Sequence, residues 1–272
     1  MRKLNIMFIG AHPDDCDLKC GATAIMLSEQ GHKVLFLSMT DGRMGHHVNP
    51  GPVMAVRRKA ETQAVAALCG IEYLVLEIPD GALTTELKYR DMLLREIRAF
   101  TPDIIITHRP NDYHPDHRNT GILVMDCSYL VIVPGITPDR LPMKKAPYIF
   151  YMYDFFTFPG PFKPDIAVNI DSIMDKKTDM LNCHSSQMYE WLPWVGDYSD
   201  EVPSAEDNKG RLAWLKTKLE ERGEKAANYC RELLIRRYGD EKGSAVKCCE
   251  AFQLCEYGSQ PMGDDLMNNL SV

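Results

Sequence analysis

The first half of the chain alternates between short apolar runs and longer segments whose apolar residues recur at helical spacing. The short runs predict buried strands, and they are LNIMFIGA (4–11), KVLFLSM (33–39), EYLVLEI (72–78) and PDIIITH (102–108). Helices are predicted between them, over residues 21–30, over VMAVRRKAETQAVAALCG after Pro52, and over residues 85–100. Nearly continuous apolar strands that alternate with helices are typical of an α/β protein with a mostly parallel sheet and helices on both faces.

The strand–helix repeat also predicts an order for the sheet. A Rossmann-like start has the strand order 3-2-1-4 with right-handed crossovers. In that order strands one and four are neighbours, and the chain leaves them in opposite directions. We therefore expect a ligand crevice at the carboxyl ends of these two strands.

The second half is less regular. Helices are predicted over 118–133, 171–187 and 207–238, strands over 146–155 and 165–170, a loop over about 190–205, and a last short element over 244–254. Since the sequence has no internal repeat and no low-complexity linker, we expect one domain over 1–272. Its expected parts are a Rossmann-like half (1–133), an elaborated C-terminal half (134–260) and a mobile tail (261–272).

Composition narrows the classes of function. A formal net charge of −7, with basic residues dispersed along the chain, argues against nucleic acid as a partner. The densest basic groups, Arg57–Lys59 and Arg236–Arg237, are interpreted as solvated helix faces. Nine cysteines without a C-x-x-C pair indicate reduced thiols in a cytoplasmic protein. No apolar run approaches the length of a membrane span.

Two motifs could carry chemistry, and each follows one of the two strands that flank the predicted crevice. The first is HPDD at 12–15, and the second is NDYHPDHRN at 111–119. Two imidazoles and a carboxylate can hold Zn²⁺ with one position left for water. His12 and Asp15 are candidate ligands from the first loop, and either His114 or His117 is the candidate from the second. Asp14 would then be free to take a proton from the metal-bound water.

Neither motif is specific alone, because an aspartate beyond a strand often caps the next helix. Their joint placement beside one crevice favours a metal site. Two carboxylates at the exit of a buried strand would also be costly without a cation.

AHPDD followed by HPDH resembles the LmbE-like zinc de-N-acetylases, the family named for N-acetylglucosaminyl-phosphatidylinositol de-N-acetylase (PIG-L). TDG after strand two, RRKAETQAVAALCG, PDG at 79–81, PDIIITH, CHSSQ at 183–187 and GSAVKCCEAF at 243–252 are similar to family segments. The resemblance therefore spans roughly residues 4–252.

The resemblance implies hydrolysis of the acetyl amide of an amino sugar, or of a related small amide, by a zinc-bound water. One Zn²⁺ per subunit would be held by His12, Asp15 and His117. Asp14 would be the general base, His114 would stabilise the oxyanion or act as the acid, and Asp116 would orient a histidine. Relatives of this kind commonly form homo-oligomers.

Three further residues are candidate substrate contacts. Arg43 lies in the loop after TDG, which contributes substrate contacts in the family, although an ordinary solvated arginine fits equally well. Asp41 occupies the place where a dinucleotide-binding fold keeps its ribose-binding acid, but a turn role beside Gly42 is as compatible. His184 could approach the site from the C-terminal half or pack a helix. His108 could line the floor of the pocket, but a satisfied residue at a strand end is favoured.

Two other functions are weighed against hydrolysis. A nucleotide-binding oxidoreductase would use the same fold, but the G-x-G-x-x-G turn is absent and the carboxylates of GAHPDD would repel a pyrophosphate. A non-catalytic sugar-binding protein is the other, and the intact motifs argue against it. Cys16, where many relatives have glutamate, and the unusual loop GRMGHHVNPG (42–51) leave the substrate open.

Overall fold

A seven-stranded sheet forms the centre of the molecule, for which a computed structural model describes residues 2–261. The strands are β1 (Asn5–Gly10), β2 (Lys33–Thr40), β3 (Glu72–Ile78), β4 (Ile104–Thr107), β5 (Tyr148–Met152), β6 (Ile166–Asn169) and β7 (Cys249–Gly258). Their order is β3-β2-β1-β4-β5-β7-β6, so the predicted 3-2-1-4 start is confirmed. Strands β1 to β5 pair in parallel, and β7 is antiparallel to both of its neighbours.

Helices cover both faces of this sheet. They are α1 (Asp15–Glu29), α2 (Pro52–Cys69), α3 (Leu87–Phe100), α4 (Pro115–Leu130), α5 (Met174–Asn182), α6 (Leu192–Val195), α7 (Asn208–Tyr229), α8 (Arg231–Tyr238) and α9 (Asp240–Ala245). A π-helical turn, Gln187–Trp191, precedes α6. None of the helices within residues 2–261 is long and apolar enough to cross a membrane.

The strand side chains alternate between two buried apolar layers, as the period of a strand requires. Ile6 and Phe8 of β1 face the layer that α1 and α5 cover. Met7 and Ile9 face the opposite layer, which α3 and α4 cover. Because β1 is buried on both faces, its sequence is apolar from Ile6 to Ile9.

Some predicted boundaries were wrong. The first helix begins at Asp15 rather than at residue 21. The apolar pattern missed its first turn because that turn is polar yet buried: Asp17 accepts a hydrogen bond from the Tyr73 hydroxyl at 2.8 Å. The predicted loop at 190–205 contains short helical turns, and the helix predicted over 207–238 is divided at Cys230. The predicted last element is the helix α9 followed by the long strand β7. The predicted tail after Pro261 lies outside the described residues.

Candidate metal centre and active site

The exit of β1 is shaped by the carboxylate of Asp15, which folds back over the turn. Its Oδ2 accepts the backbone N–H groups of Ala11 at 2.9 Å and His12 at 2.8 Å, and it lies 3.1 Å from His108 Nε2. A side chain at Gly10 would place its Cβ only 2.8 Å from the Asp15 Cβ. The sequence GAHPDD therefore closes a tight turn in which Asp15 is fixed through Oδ2, while Oδ1 faces the crevice.

The exit of β4 supplies the second motif. Pro115 begins α4, where its fixed φ suits the first helical position. His114 is the N-cap, and its Nδ1 accepts the backbone N–H of Asp116 at 3.2 Å. The first turn of the helix then directs His117 towards the β1 exit, so two motifs about a hundred residues apart meet at one sheet edge.

Three side chains converge there, and each oxygen of the Asp15 carboxylate faces one of the two imidazoles. His12 Nδ1 lies 3.2 Å from His117 Nε2, His117 Nε2 lies 3.3 Å from Asp15 Oδ1, and His12 Nδ1 lies 3.5 Å from Asp15 Oδ2. Tetrahedral ligands placed about 2.0–2.1 Å from a zinc ion are separated by about 3.3 Å. The spacing of the three side chains therefore fits one tetrahedral ion.

The tautomers of the two histidines support the same conclusion. His12 Nε2 lies 3.1 Å from Asp80 Oδ1 and 3.4 Å from Asp116 Oδ2, and His117 Nδ1 lies 2.9 Å from Asp112 Oδ1. A nitrogen that faces a carboxylate carries the proton, so the facing nitrogens, His12 Nδ1 and His117 Nε2, present lone pairs in the neutral rings. Two lone pairs and a carboxylate then converge without a hydrogen, which is the arrangement that a cation satisfies.

The electrostatics of the cluster favour positive charge. Burial alone would lower the pKa of His12, but the carboxylates of Asp116, Asp15 and Asp80 raise it well above its usual value. Burial also lowers the pKa of His117, but the carboxylates of Asp15 and Asp112 raise it above its usual value. Burial alone would raise the pKa of Asp15, but His117 and His108 hold it well below the usual range.

Asp14 does not act as a side-chain cap for α1. Its Oδ1 lies 2.9 Å from Arg58 Nη2, and the same Arg58 nitrogen donates to the Pro13 carbonyl at 3.1 Å. Arg58 is only 2% exposed. Arg58 was predicted to lie on a solvated helix face, and this prediction was wrong. Helix α2 packs over the crevice and turns Arg58 inward, beneath the loop at Gly42. A Cβ added at Gly42 would lie 2.8 Å from Arg58 Nη1.

His114 lies beside His12, but its Nδ1 is engaged by the backbone N–H of Asp116. Its ring packs edge-on against that of His12 with centroids 4.6 Å apart. Burial lowers the pKa of His114, and His12 and His117 lower it further. The neutral ring, whose Nδ1 accepts from Asp116, carries its proton on Nε2 and presents a hydrogen-bond donor to the crevice.

Comparison with known proteins agrees with this geometry. Residues 7–128 match the PIG-L family model, described as GlcNAc-PI de-N-acetylase. The chain carries a PIG-L family domain. That segment contains both motifs, and the resemblance inferred from the sequence is confirmed.

Similar proteins extend the likeness beyond the PIG-L domain. Diacetylchitobiose deacetylase from Thermococcus kodakarensis is 28% identical over 197 residues, which cover 70% of this chain and 73% of that protein. The structure of N,N'-diacetylchitobiose deacetylase from Pyrococcus horikoshii superposes with a TM-score of 0.65 at 24% identity, over 92% of this chain and 83% of the other. The 4-carboxy-2-hydroxymuconate hydratase from Pseudomonas putida superposes with a TM-score of 0.69 at 16% identity, over 97% and 100% of the two chains.

The candidate substrate contacts have different surroundings. Asp41 and Arg43 pair with each other, with Arg43 Nε 2.7 Å from Asp41 Oδ2, on a loop beside the centre of the PIG-L domain. The backbone N–H of Met44 in this loop donates to Asp80, the partner of His12. The third candidate, His184, has other surroundings. It is fully buried and lies 3.1 Å from Asp17, so the expectation that it contacts substrate was wrong.

Sequence reasoning missed three residues of the site, and it placed His108 at the pocket floor only as the less favoured alternative. Arg58 holds Asp14, Asp80 and Asp112 orient the two histidines, and His108 stacks on His117 with ring centroids 4.2 Å apart. Asp80 follows β3 at the carboxyl edge of the same sheet, so its position in the strand pattern was an available signal. Asp112 lies within the second motif. Arg58 carries no such signal, because its helical spacing resembles that of any surface arginine.

Proposed function

We propose that the protein is a zinc-dependent de-N-acetylase that hydrolyses the acetyl amide of an N-acetylated amino sugar or a related small amide. The observation that carries this proposal is the convergence of His12, His117 and the Asp15 carboxylate, whose facing atoms lie 3.2–3.5 Å apart. The PIG-L domain and the deacetylase relative support the choice of reaction. Two neutral imidazoles and a carboxylate form a ligand set suited to zinc.

A divalent ion held by these three ligands would polarise the acyl carbonyl and make water more acidic. Asp14 then accepts the proton of the attacking water, and Arg58, 2.9 Å from its Oδ1, directs the carboxylate. His114 donates from Nε2 to the oxygen on which negative charge develops. The amide C–N bond breaks, and the amine takes a proton from Asp14 or His114. The products are acetate and the free amine.

Asp80, Asp112 and Asp116 are assigned to positioning. They hold the outer nitrogens of His12 and His117, which fixes the tautomers and the ring orientations. Asp116 is also anchored, because its Oδ2 accepts the backbone N–H of Gly81 at 2.7 Å. The histidine that we propose Asp116 orients is therefore His12.

Arg43 is the substrate contact that we retain. Asp41 engages its Nε and Nη2, which holds the guanidinium on the rim of the crevice. We assign the remaining nitrogen, Nη1, to a hydroxyl of the substrate, and Asp41 to holding Arg43 in place.

The hydratase relative shows that this fold also serves another reaction, and the charges of the site discriminate between the two. A substrate with several carboxylates needs unpaired cations around the centre. Here Arg58 is paired with Asp14 and Arg43 with Asp41. The site therefore suits an uncharged amide better than a polycarboxylate.

The direct test is amine release from a panel of N-acetylated amino sugars and small amides. We expect turnover that is abolished by a chelator and restored by added Zn²⁺. Asp14→Asn should bind the metal and lose turnover. Hydration of an unsaturated dicarboxylate without any amine release, by protein loaded with zinc, would reject the proposal.

A further inference from the structure

An aromatic surface adjoins the candidate metal centre on its β4–β5 side. We define the aromatic rim as Tyr113, Phe155 and Phe156. The Tyr113 ring lies edge-on to the rings of His117 and His114, with centroids 5.6 Å and 5.8 Å apart. Phe156 follows at 6.1 Å from Tyr113, and Phe155 at 5.1 Å from Phe156. The rim therefore runs outward from the metal centre without a break.

The loop that carries the two phenylalanines is held by a buried arginine. Arg109 donates from Nε to Asp154 Oδ2 at 2.7 Å, from Nη1 to the Gly160 carbonyl at 3.0 Å and from Nη2 to the Phe156 carbonyl at 2.9 Å. Asp154 also accepts the backbone N–H of Phe156 at 3.0 Å. These bonds fix the backbone at Phe156, so its ring is presented in a set position beside the centre.

The rim is exposed although it is apolar. Tyr113 is 72% exposed and Phe155 is 78% exposed. A contiguous exposed apolar surface generally marks a binding site. Because the rim starts at the rings of His114 and His117, a molecule whose amide reaches these residues brings its neighbouring substituent against Tyr113.

We infer that the aromatic rim binds an apolar, aryl-type substituent carried by the substrate beside its N-acetyl group. The inference rests on the proposed function and narrows its substrate class to amino sugars or amides with an aromatic neighbour. Stacking and edge-to-face contacts with Tyr113, the rim residue next to His114 and His117, would supply the recognition. Tyr113 thus determines specificity and takes no part in the chemistry.

The test compares phenyl and methyl β-glycosides of N-acetylglucosamine as a matched pair, with zinc-loaded full-length protein. We expect kcat/KM for the phenyl glycoside to exceed that for the methyl glycoside by about tenfold, through a lower KM. Tyr113→Ser should reduce this ratio to about one, because Tyr113 is the rim residue next to His114 and His117. Leu141→Ser is the control, since Leu141 is 88% exposed and lies outside the rim, and the ratio should stay at its wild-type value.

Four other outcomes are separable. Equal kcat/KM for the two glycosides overturns the inference and leaves the proposed function standing. A ratio that survives Tyr113→Ser also overturns it. If neither glycoside is hydrolysed, the proposed function fails, and calorimetry decides the inference: tighter binding of the phenyl glycoside that Tyr113→Ser removes supports it, and equal binding rejects it. A fall in solution mass on Tyr113→Ser assigns the rim to a subunit contact and overturns the inference.

Discussion

The guanidinium of Arg58 lies 2.9 Å from the carboxylate of Asp14, and both side chains are buried. One comes from the middle of α2 and the other from the turn after β1, so the pair links a helix to the strand exit. The arginine compensates the charge of Asp14 and directs one of its oxygens. We assign the other oxygen the role of proton acceptor in the proposed reaction.

Replacing Arg58 should impair both stability and turnover. Arg58→Gln leaves a buried carboxylate without its cation, which costs about 3–5 kcal/mol in the free energy of unfolding. A displaced general base should reduce kcat by about 100-fold. Urea denaturation and steady-state kinetics would measure the two effects. Arg57→Gln is the adjacent control, because Arg57 binds Glu190 at the surface. Wild-type turnover by Arg58→Gln would show that the pair has no role in the reaction.

Asp14→Asn separates metal binding from catalysis. The amide keeps the shape of the side chain but cannot take up a proton at neutral pH, so kcat should fall by about 10²–10⁴-fold. Metal content, measured by elemental analysis, should equal that of the wild type because Asp14 is not a ligand. A variant that turned over substrate at the normal rate would remove Asp14 from the mechanism.

The carboxylates behind the histidines should tune the affinity for the metal. Asp112→Asn and Asp80→Asn weaken the hold on the outer nitrogens of His117 and His12, and each should reduce zinc affinity by about 10- to 100-fold. Competition with a chromogenic chelator would measure this. Asp175→Asn, at an exposed position on α5, is the control and should bind zinc as the wild type does. Unchanged affinity in both test variants would contradict the assigned tautomers.

A second buried ion pair joins the C-terminal strand to the first helix. Lys177 Nζ lies 2.7 Å from Glu250, and that carboxylate also accepts the backbone N–H groups of Ala22 and Thr23. Lys177→Met leaves Glu250 buried without its cation and should lower the free energy of unfolding by about 3–5 kcal/mol. Lys176→Met alters only an exposed neighbour, and its denaturation curve should overlay that of the wild type. Overlaying curves for both variants would show that the pair contributes nothing.

The sequence predicted the parts of the fold that local patterns determine. Apolar runs located the first four strands, and the two histidine motifs located the strands between which the site forms. The start of α1 was missed because Asp17 is polar yet buried. Its partners, Tyr73 and His184, come from β3 and from the segment after α5, and no local pattern reveals them.

The same reasoning explains the errors in the site. His12 lies in the turn after β1, and Asp15 and His117 lie in the first turns of α1 and α4. The positions of these turns follow from the sheet order, so their meeting could be predicted. The direction in which Arg58 points depends on how α2 packs across the sheet, and the burial of His184 depends on where the C-terminal half folds back. Both are tertiary relationships that spacing along the chain leaves open.

The most direct test of the candidate centre is the zinc content of purified single variants. The wild type and His114→Ala should each bind about one zinc ion per chain, whereas His117→Ala should bind almost none. Circular dichroism would verify that each variant is folded. Full zinc content in folded His117→Ala, or its loss in His114→Ala alone, would contradict the ligand set on which the account depends.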